Sequence, residues 1–198
     1  MTKLVTYYEQ SQPIKEYLND MTTNKEELIE IYKSFQLPKN DERLDKIKDK
    51  NYKVLVITED WCGDAMMNIP VLLNIADYTN MEVKVFHRDE DTNLIDQYLT
   101  NGTARSIPIF VFLNEKHEQE HVWGPRAITV QKFVEETRKD LPSKEDSSFP
   151  EKEKEVHHKI HDEYKKNTQF WDDVYESIVS ILRYFGLEQK SYFSKKIS

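Results

Sequence analysis

The residue best suited to chemistry in this chain is Cys62, the single cysteine among 198 residues. The thiolate, not the thiol, is the nucleophile, so what matters is whether Cys62 sits where negative charge is stabilised. Its neighbours pull in opposite directions. Glu59, Asp60 and Asp64 lie within three residues and oppose a further negative charge. The apolar residues that follow, Met66, Met67, Ile69, Leu72, Leu73, Ile75 and Ala76, form an amphipathic run, which puts Cys62 at or just before a helix start. The first amides of a helix have no intrahelical acceptor and carry the positive end of its dipole, which favours a thiolate. The sequence therefore predicts a reactive thiol near the surface with a lowered pKa. The alternative is an inert cysteine acting as a small apolar residue.

The preceding residues supply the other half of the turn. Val54 to Thr58 are apolar or β-branched without a break, as expected of a strand buried on both faces. Strand, sharp turn and helix thus present Cys62. A second candidate cluster is His157, His158 and His161, of which His157 and His161 share a helix face. No cysteine is near them and acids are merely abundant, so a solvated polar face is favoured over a metal site.

The turn Trp61-Cys62-Gly63 resembles the active site of the thioredoxin superfamily, Trp-Cys-Gly-Pro-Cys, in the same strand–turn–helix setting. Two further segments carry the resemblance. Thr103 to Phe112 is similar to the family's segment that holds a cis-proline opposite the cysteine, here Pro108. Pro70 stands where thioredoxins carry the proline that kinks this helix. The departures are that Ala65 replaces the second cysteine, Asp64 replaces the proline, and Val56 stands where many thioredoxins keep a buried acid.

The resemblance, which covers roughly residues 51–139, implies an α/β thioredoxin-like fold with a central mixed sheet flanked by helices; the C-terminal helical extension is an addition that thioredoxins do not need. About four strands are expected, with Val54–Thr58 central and 120–123 at the edge. It implies Cys62 as nucleophile, with Trp61, Gly63, Ile107, Pro108, Trp123, Gly124 and Arg126 around the substrate. Pro108 would expose the backbone of Ile107, so that a peptide could pair as an added strand. Trp123-Gly124-Pro125-Arg126 would wall the groove, with Arg126 either holding an anion near Cys62 or simply solvated. Ala65 cannot resolve a mixed disulfide, so exchange begun by Cys62 must be completed by an external thiol. The expected activity is that of a monothiol oxidoreductase acting on protein or low-molecular-weight thiols and disulfides, without cofactor or metal. The rival is a redox-inactive module that binds a protein through the Pro108 groove or the C-terminal helix.

Composition bounds these readings. A formal net charge of −8 argues against nonspecific nucleic-acid binding. No apolar run approaches the roughly 18 residues needed to span a bilayer. The first residues lack the apolar core of a signal peptide, and the lone cysteine suits a reducing compartment, so a cytoplasmic location is expected.

Along the chain, residues 1–50 read as an N-terminal helical segment. A helix over 13–21 begins at Pro13, and a second, N-capped by Asn24, turns Leu28, Ile31, Tyr32 and Phe35 inward. Residues 51–139 are the thioredoxin-like core and 140–150 a linker. Residues 151–198 hold one long helix, from about Pro150 to Tyr184, stopped by Gly186. Its stripe of Val156, Ile160, Tyr164, Trp171, Val174, Tyr175, Ile178, Leu182 and Phe185 is too apolar to be left in water. It either packs back on the domain or forms a dimer or partner surface.

Overall fold

The computed structural model describes residues 3–183. Its centre is β2, Lys53–Thr58, of which Val54 to Thr58 are wholly buried. A five-stranded sheet forms around it in the order β1-β3-β2-β4-β5. Strand β3, Glu82–His87, runs parallel to β2, with Val54 opposite Val83 and Thr58 opposite His87. Strand β4, Ile109–Leu113, is antiparallel to β2, and β5, Gln119–Trp123, is antiparallel to β4 at the edge. The other edge is β1, only Gln12–Pro13, against β3. Two residues carry no readable period, so this strand could not be found from the sequence.

The N-terminal part holds four short helices: α1 (Leu4–Gln10), α2 (Ile14–Asp20), α3 (Lys25–Ser34) and α4 (Glu42–Lys48). Helix α1 lay outside the expected elements. Asn24 occupies the N-cap position of α3 in a left-handed conformation, yet its side chain caps nothing there. Its amide nitrogen instead donates to the backbone of Asp60 at 2.9 Å, tying the start of α3 to the Cys62 turn.

Helix α5, Gly63–Thr79, follows Cys62 and is buried along most of its length. The short α6, Thr92–Ile95, and α7, Ile128–Arg138, complete the core of the fold.

The C-terminal segment is two helices rather than one. Helix α8, Phe149–Lys166, ends at Asn167, and α9 covers Thr168–Arg183. Asn167 takes an extended conformation, φ −87° and ψ 91°, and the Trp171 indole donates to the Tyr164 carbonyl at 2.8 Å. That carbonyl would otherwise accept the next helical amide, so the break is satisfied locally. The expected stop at Gly186 and the contribution of Phe185 lie outside the described residues.

Both helices pack back on the domain. Ile160 and Tyr164 of α8, and Trp171, Val174, Tyr175, Ile178, Val179 and Leu182 of α9, are buried. Helix α8 meets α5 and α7, and α9 meets α4, α5, α7 and β5. Tyr175 donates to Asp41 at 2.6 Å, and Arg43 grips Glu176 with two bonds of 2.7 and 2.8 Å. Among the described residues, no helix is long and apolar enough to cross a membrane.

Candidate active site at Cys62

Cys62 is the N-cap residue of α5, with extended backbone at φ −77° and ψ 114°. Its carbonyl accepts the amide of Met66 and so starts the helix. The Ile107–Pro108 peptide bond is cis, and the Cys62 thiol donates to the Ile107 carbonyl at 3.4 Å. Turn, helix start and cis-proline are therefore brought together as the resemblance implies.

The electrostatics differ from the sequence expectation. Cys62 is only 6% exposed, and burial pushes its thiol up to about 12. The Asp64 carboxylate adds to that rise, while the Ala65 and Asp64 amides and the Arg126 charge oppose it. Desolvation thus outweighs the helix terminus. The thiol is neither near-surface nor predisposed to ionise in this conformation.

The three acids beside Cys62 are each engaged. Glu59 accepts the Asp89 amide at 2.9 Å and pairs with His87 Nδ1 at 3.0 Å. Asp60 accepts the Thr22 amide and hydroxyl, both at 2.9 Å, and the Thr23 amide at 3.2 Å. Asp64 is gripped by Arg126 through two bonds of 2.6 Å and also accepts from the Tyr164 hydroxyl at 2.6 Å. The anion held by Arg126 is thus Asp64, a residue of the active-site turn, and Gln131 accepts a further Arg126 bond at 2.8 Å. The charge complementarity of Asp64 and Arg126 was present in the sequence, but their separation of 62 residues hid the pairing.

The remaining substrate candidates divide. Trp61 is half exposed, with Arg88 stacked 4.9 Å from its ring centre. Gly124 has φ +129°, and a Cβ there would lie 2.3 Å from the Pro108 carbonyl oxygen. A glycine is required because the β5 turn passes this close to the cis-proline. The Gly124–Pro125 bond is also cis. Trp123 does not wall an open groove. It is buried, stacked on Phe110 at 5.0 Å, and its indole donates to Ser177 of α9 at 2.8 Å. Ile107 and Pro108 are buried as well, so the Ile107 backbone is not displayed for a peptide.

What covers this region is α8. A Cβ on Gly63 would lie 2.7 Å from the His161 ring, so helix and turn are in close apposition. His161 is half-buried rather than part of a solvated face, and burial together with the neighbouring Lys165 lowers its pKa. His157 and His158 are exposed. No group of three His, Cys, Asp or Glu side chains able to hold a metal occurs among the described residues. Between α8 and the turn remains a cleft of about 210 Å³ onto which Cys62 opens.

Sequence reasoning missed Asp64, Tyr164 and His161 as parts of this site. Tyr164 stood in the apolar stripe, and nothing local signalled that its hydroxyl reaches a residue 100 positions away.

Among solved structures, the chain is similar to an HIV epitope-scaffold, with TM-score 0.63 and 15% identity, covering 92% of this chain and 96% of that one. It is likewise similar to a protein of unknown function from Pseudomonas aeruginosa, with TM-score 0.62 and 17% identity, covering 92% and 98%. At these identities the likeness concerns the fold alone. Residues past 139 make up more than a quarter of the chain, so matches over 92% reach into α8 and α9. The extension is thus part of the shared architecture. No curated protein matches the sequence. The thioredoxin family model matches residues 11–139, more than half of the chain and the whole of the Cys62 site except its α8 cover, and the chain belongs to the thioredoxin family.

Proposed function

We propose that the protein is a monothiol thiol–disulfide exchanger with Cys62 as nucleophile. The observation that carries this reading is the placement of Cys62 at the N-terminus of α5 with its sulfur 3.4 Å from the Ile107 carbonyl, beside cis Pro108. The amides of Asp64 and Ala65 and the Arg126 charge favour the Cys62 anion, against the desolvation that keeps the resting thiol protonated.

Cys62 loses its proton to solvent, and its thiolate attacks one sulfur of a disulfide. A Cys62–sulfur bond forms as the substrate's sulfur–sulfur bond breaks, and the departing thiolate takes up a proton. Ala65 supplies no sulfur, so a second, external thiolate then attacks the adduct. It forms a disulfide with the bound half and returns Cys62 as thiolate. The external thiol is the reductant, and Cys62 ends unchanged. Trp61, Gly63, Ile107, Pro108, Gly124 and Arg126 frame the reacting sulfur. In this role Arg126 acts through Asp64 rather than on the substrate.

The second reading, a thioredoxin-fold module without redox chemistry, draws on the burial of Cys62 and its raised pKa. Intact-mass spectrometry after incubation with hydroxyethyl disulfide separates the two. Exchange predicts one mercaptoethanol adduct, absent in Cys62→Ser and removed by a second thiol. No adduct, with the protein folded, gives the site to the binding module.

A further inference from the structure

If Cys62 exchanges disulfides, the cleft on which it opens sets the substrate class, and this inference rests on that reading. We propose that the site takes a small disulfide carrying a carboxylate, and that α8 excludes extended polypeptide.

Size is fixed by α8. The cleft of about 210 Å³ lies between the Cys62 turn and this helix, with Trp61, His161 and Tyr164 among its walls. Helix α8 is held at this height by three contacts. His161 abuts Gly63, Tyr164 donates to Asp64 at 2.6 Å, and the Trp171 indole secures the Tyr164 carbonyl at 2.8 Å. A polypeptide docking as an added strand needs the backbone beside Pro108 open. Here Ile107 is 5% exposed, its carbonyl accepts the Cys62 thiol, and Trp123 is turned into α9. A small molecule entering the cleft pairs with no backbone, so the burial of Ile107 and the turning of Trp123 into α9 do not exclude it; it requires only that the Cys62 thiol leave the Ile107 carbonyl.

Charge is fixed by what lines the cleft. Its carboxylate, Asp64, already carries the bonds from Arg126 and Tyr164, so it presents little uncompensated negative charge. Arg138 lines the same cleft and meets Glu153 at 3.5 Å, with both side chains 37% exposed. Such a pair is weak and screened, and a guanidinium with five donors has capacity for a second carboxylate. His157, on the same rim, adds a further donor. The chemistry is the exchange already written: the Cys62–sulfur bond replaces the substrate's sulfur–sulfur bond, the leaving half departs as a thiol, and a second small thiol reaching the same cleft completes the cycle.

The test uses the full chain and four disulfides. Dithiodiglycolate, hydroxyethyl disulfide and cystamine are of similar size and carry negative, no and positive charge, and insulin supplies a protein disulfide. Adduct formation at Cys62 is timed by intact mass. Each rate is divided by that of the same disulfide with free mercaptoethanol, which removes leaving-group differences. The normalised rate with dithiodiglycolate should exceed that with cystamine by about tenfold or more, within the range of electrostatic steering. Arg138→Gln should slow dithiodiglycolate more than hydroxyethyl disulfide and so narrow that gap. Insulin should give no adduct until α8 is loosened by Tyr164→Phe with His161→Ala. Wild-type protein reacting as fast with insulin as with hydroxyethyl disulfide, or as fast with cystamine as with dithiodiglycolate, overturns the proposal. Failure of all four to react removes the exchange reading itself, and this inference with it.

Discussion

Truncation after Asp140 should abolish the native domain rather than trim it. The cut removes eight buried side chains, from Ile160 and Tyr164 on α8 to Leu182 on α9. At roughly 1.5–3 kcal/mol for each large apolar side chain buried, their combined contribution of about 12–24 kcal/mol matches or exceeds the ~5–15 kcal/mol by which a typical domain is stable. A discount of about 10–40% for residual burial in the unfolded chain still leaves a contribution the size of a whole domain's stability. Polar losses add to it. Asp64 would lose the Tyr164 hydroxyl, Asp41 the Tyr175 hydroxyl, and the Trp123 indole its Ser177 partner. Circular dichroism melts with analytical ultracentrifugation provide the assay. The shortened chain should show no cooperative melt or should aggregate, and Trp171→Ala in the full chain should cost about 3–5 kcal/mol in urea. A truncated domain that melts cooperatively at the wild-type temperature, and stays equally soluble, would refute this reasoning. The helices would then be an independent module.

Gly124→Ala should destabilise by about 1–3 kcal/mol, the usual scale of backbone strain, because its Cβ would meet the Pro108 carbonyl oxygen at 2.3 Å; an unchanged urea midpoint would show that the β5 turn moves away freely. The alkylation rate of Cys62 by iodoacetamide should keep climbing past pH ~8.5, where an ordinary thiol begins to saturate, because burial pushes this thiol up to about 12; a plateau by pH ~9 would contradict the burial. Stability should follow the same sign. Cys62, Tyr52 and Tyr98 all have folded pKa values raised to about 12 by burial. Their contribution is complete below the unfolded values of ~8.5 and ~10 and is lost as pH rises toward 12, so the melting temperature should fall across that window.

Much of the fold was legible because its main elements have strong local signals. Val54 to Thr58 reads as a buried strand and is one, the strand expected over 120–123 lies at the sheet edge, and the helix after Cys62 follows from its amphipathic run. The Ile107–Pro108 cis bond came from the resemblance. What failed locally were elements stabilised from a distance. The two residues of β1 are a strand because β3 is beside them. The break at Asn167 was invisible because Tyr164 and Trp171 keep their seven-residue spacing across it, while the indole that satisfies the break comes from the next helix. The error over Cys62 has the same origin. Its sequence neighbours and helix terminus could be weighed from the chain, but burial by segments distant in sequence, such as that of Ile107 against its sulfur, could not. The three neighbouring acids likewise looked like free negative charges, whereas distant partners, His87, Thr22, Arg126 and Tyr164, engage each one.

The central claim, exchange at Cys62 without internal resolution, is tested most directly by comparing wild type with Ala65→Cys. Ala65 is buried three residues beyond Cys62, about one helical turn along α5, so the new sulfur lies at the spacing needed to reach the first. Each protein is given excess hydroxyethyl disulfide, desalted, and followed by intact mass. The wild type should hold its adduct until an external thiol is added. The variant should expel the adduct unaided and finish two hydrogens lighter as an internal disulfide, slowly, because Val56 offers no acid to accept the resolving thiol's proton. A wild-type protein that forms no adduct, or one that sheds its adduct with no second thiol present, would contradict the claim.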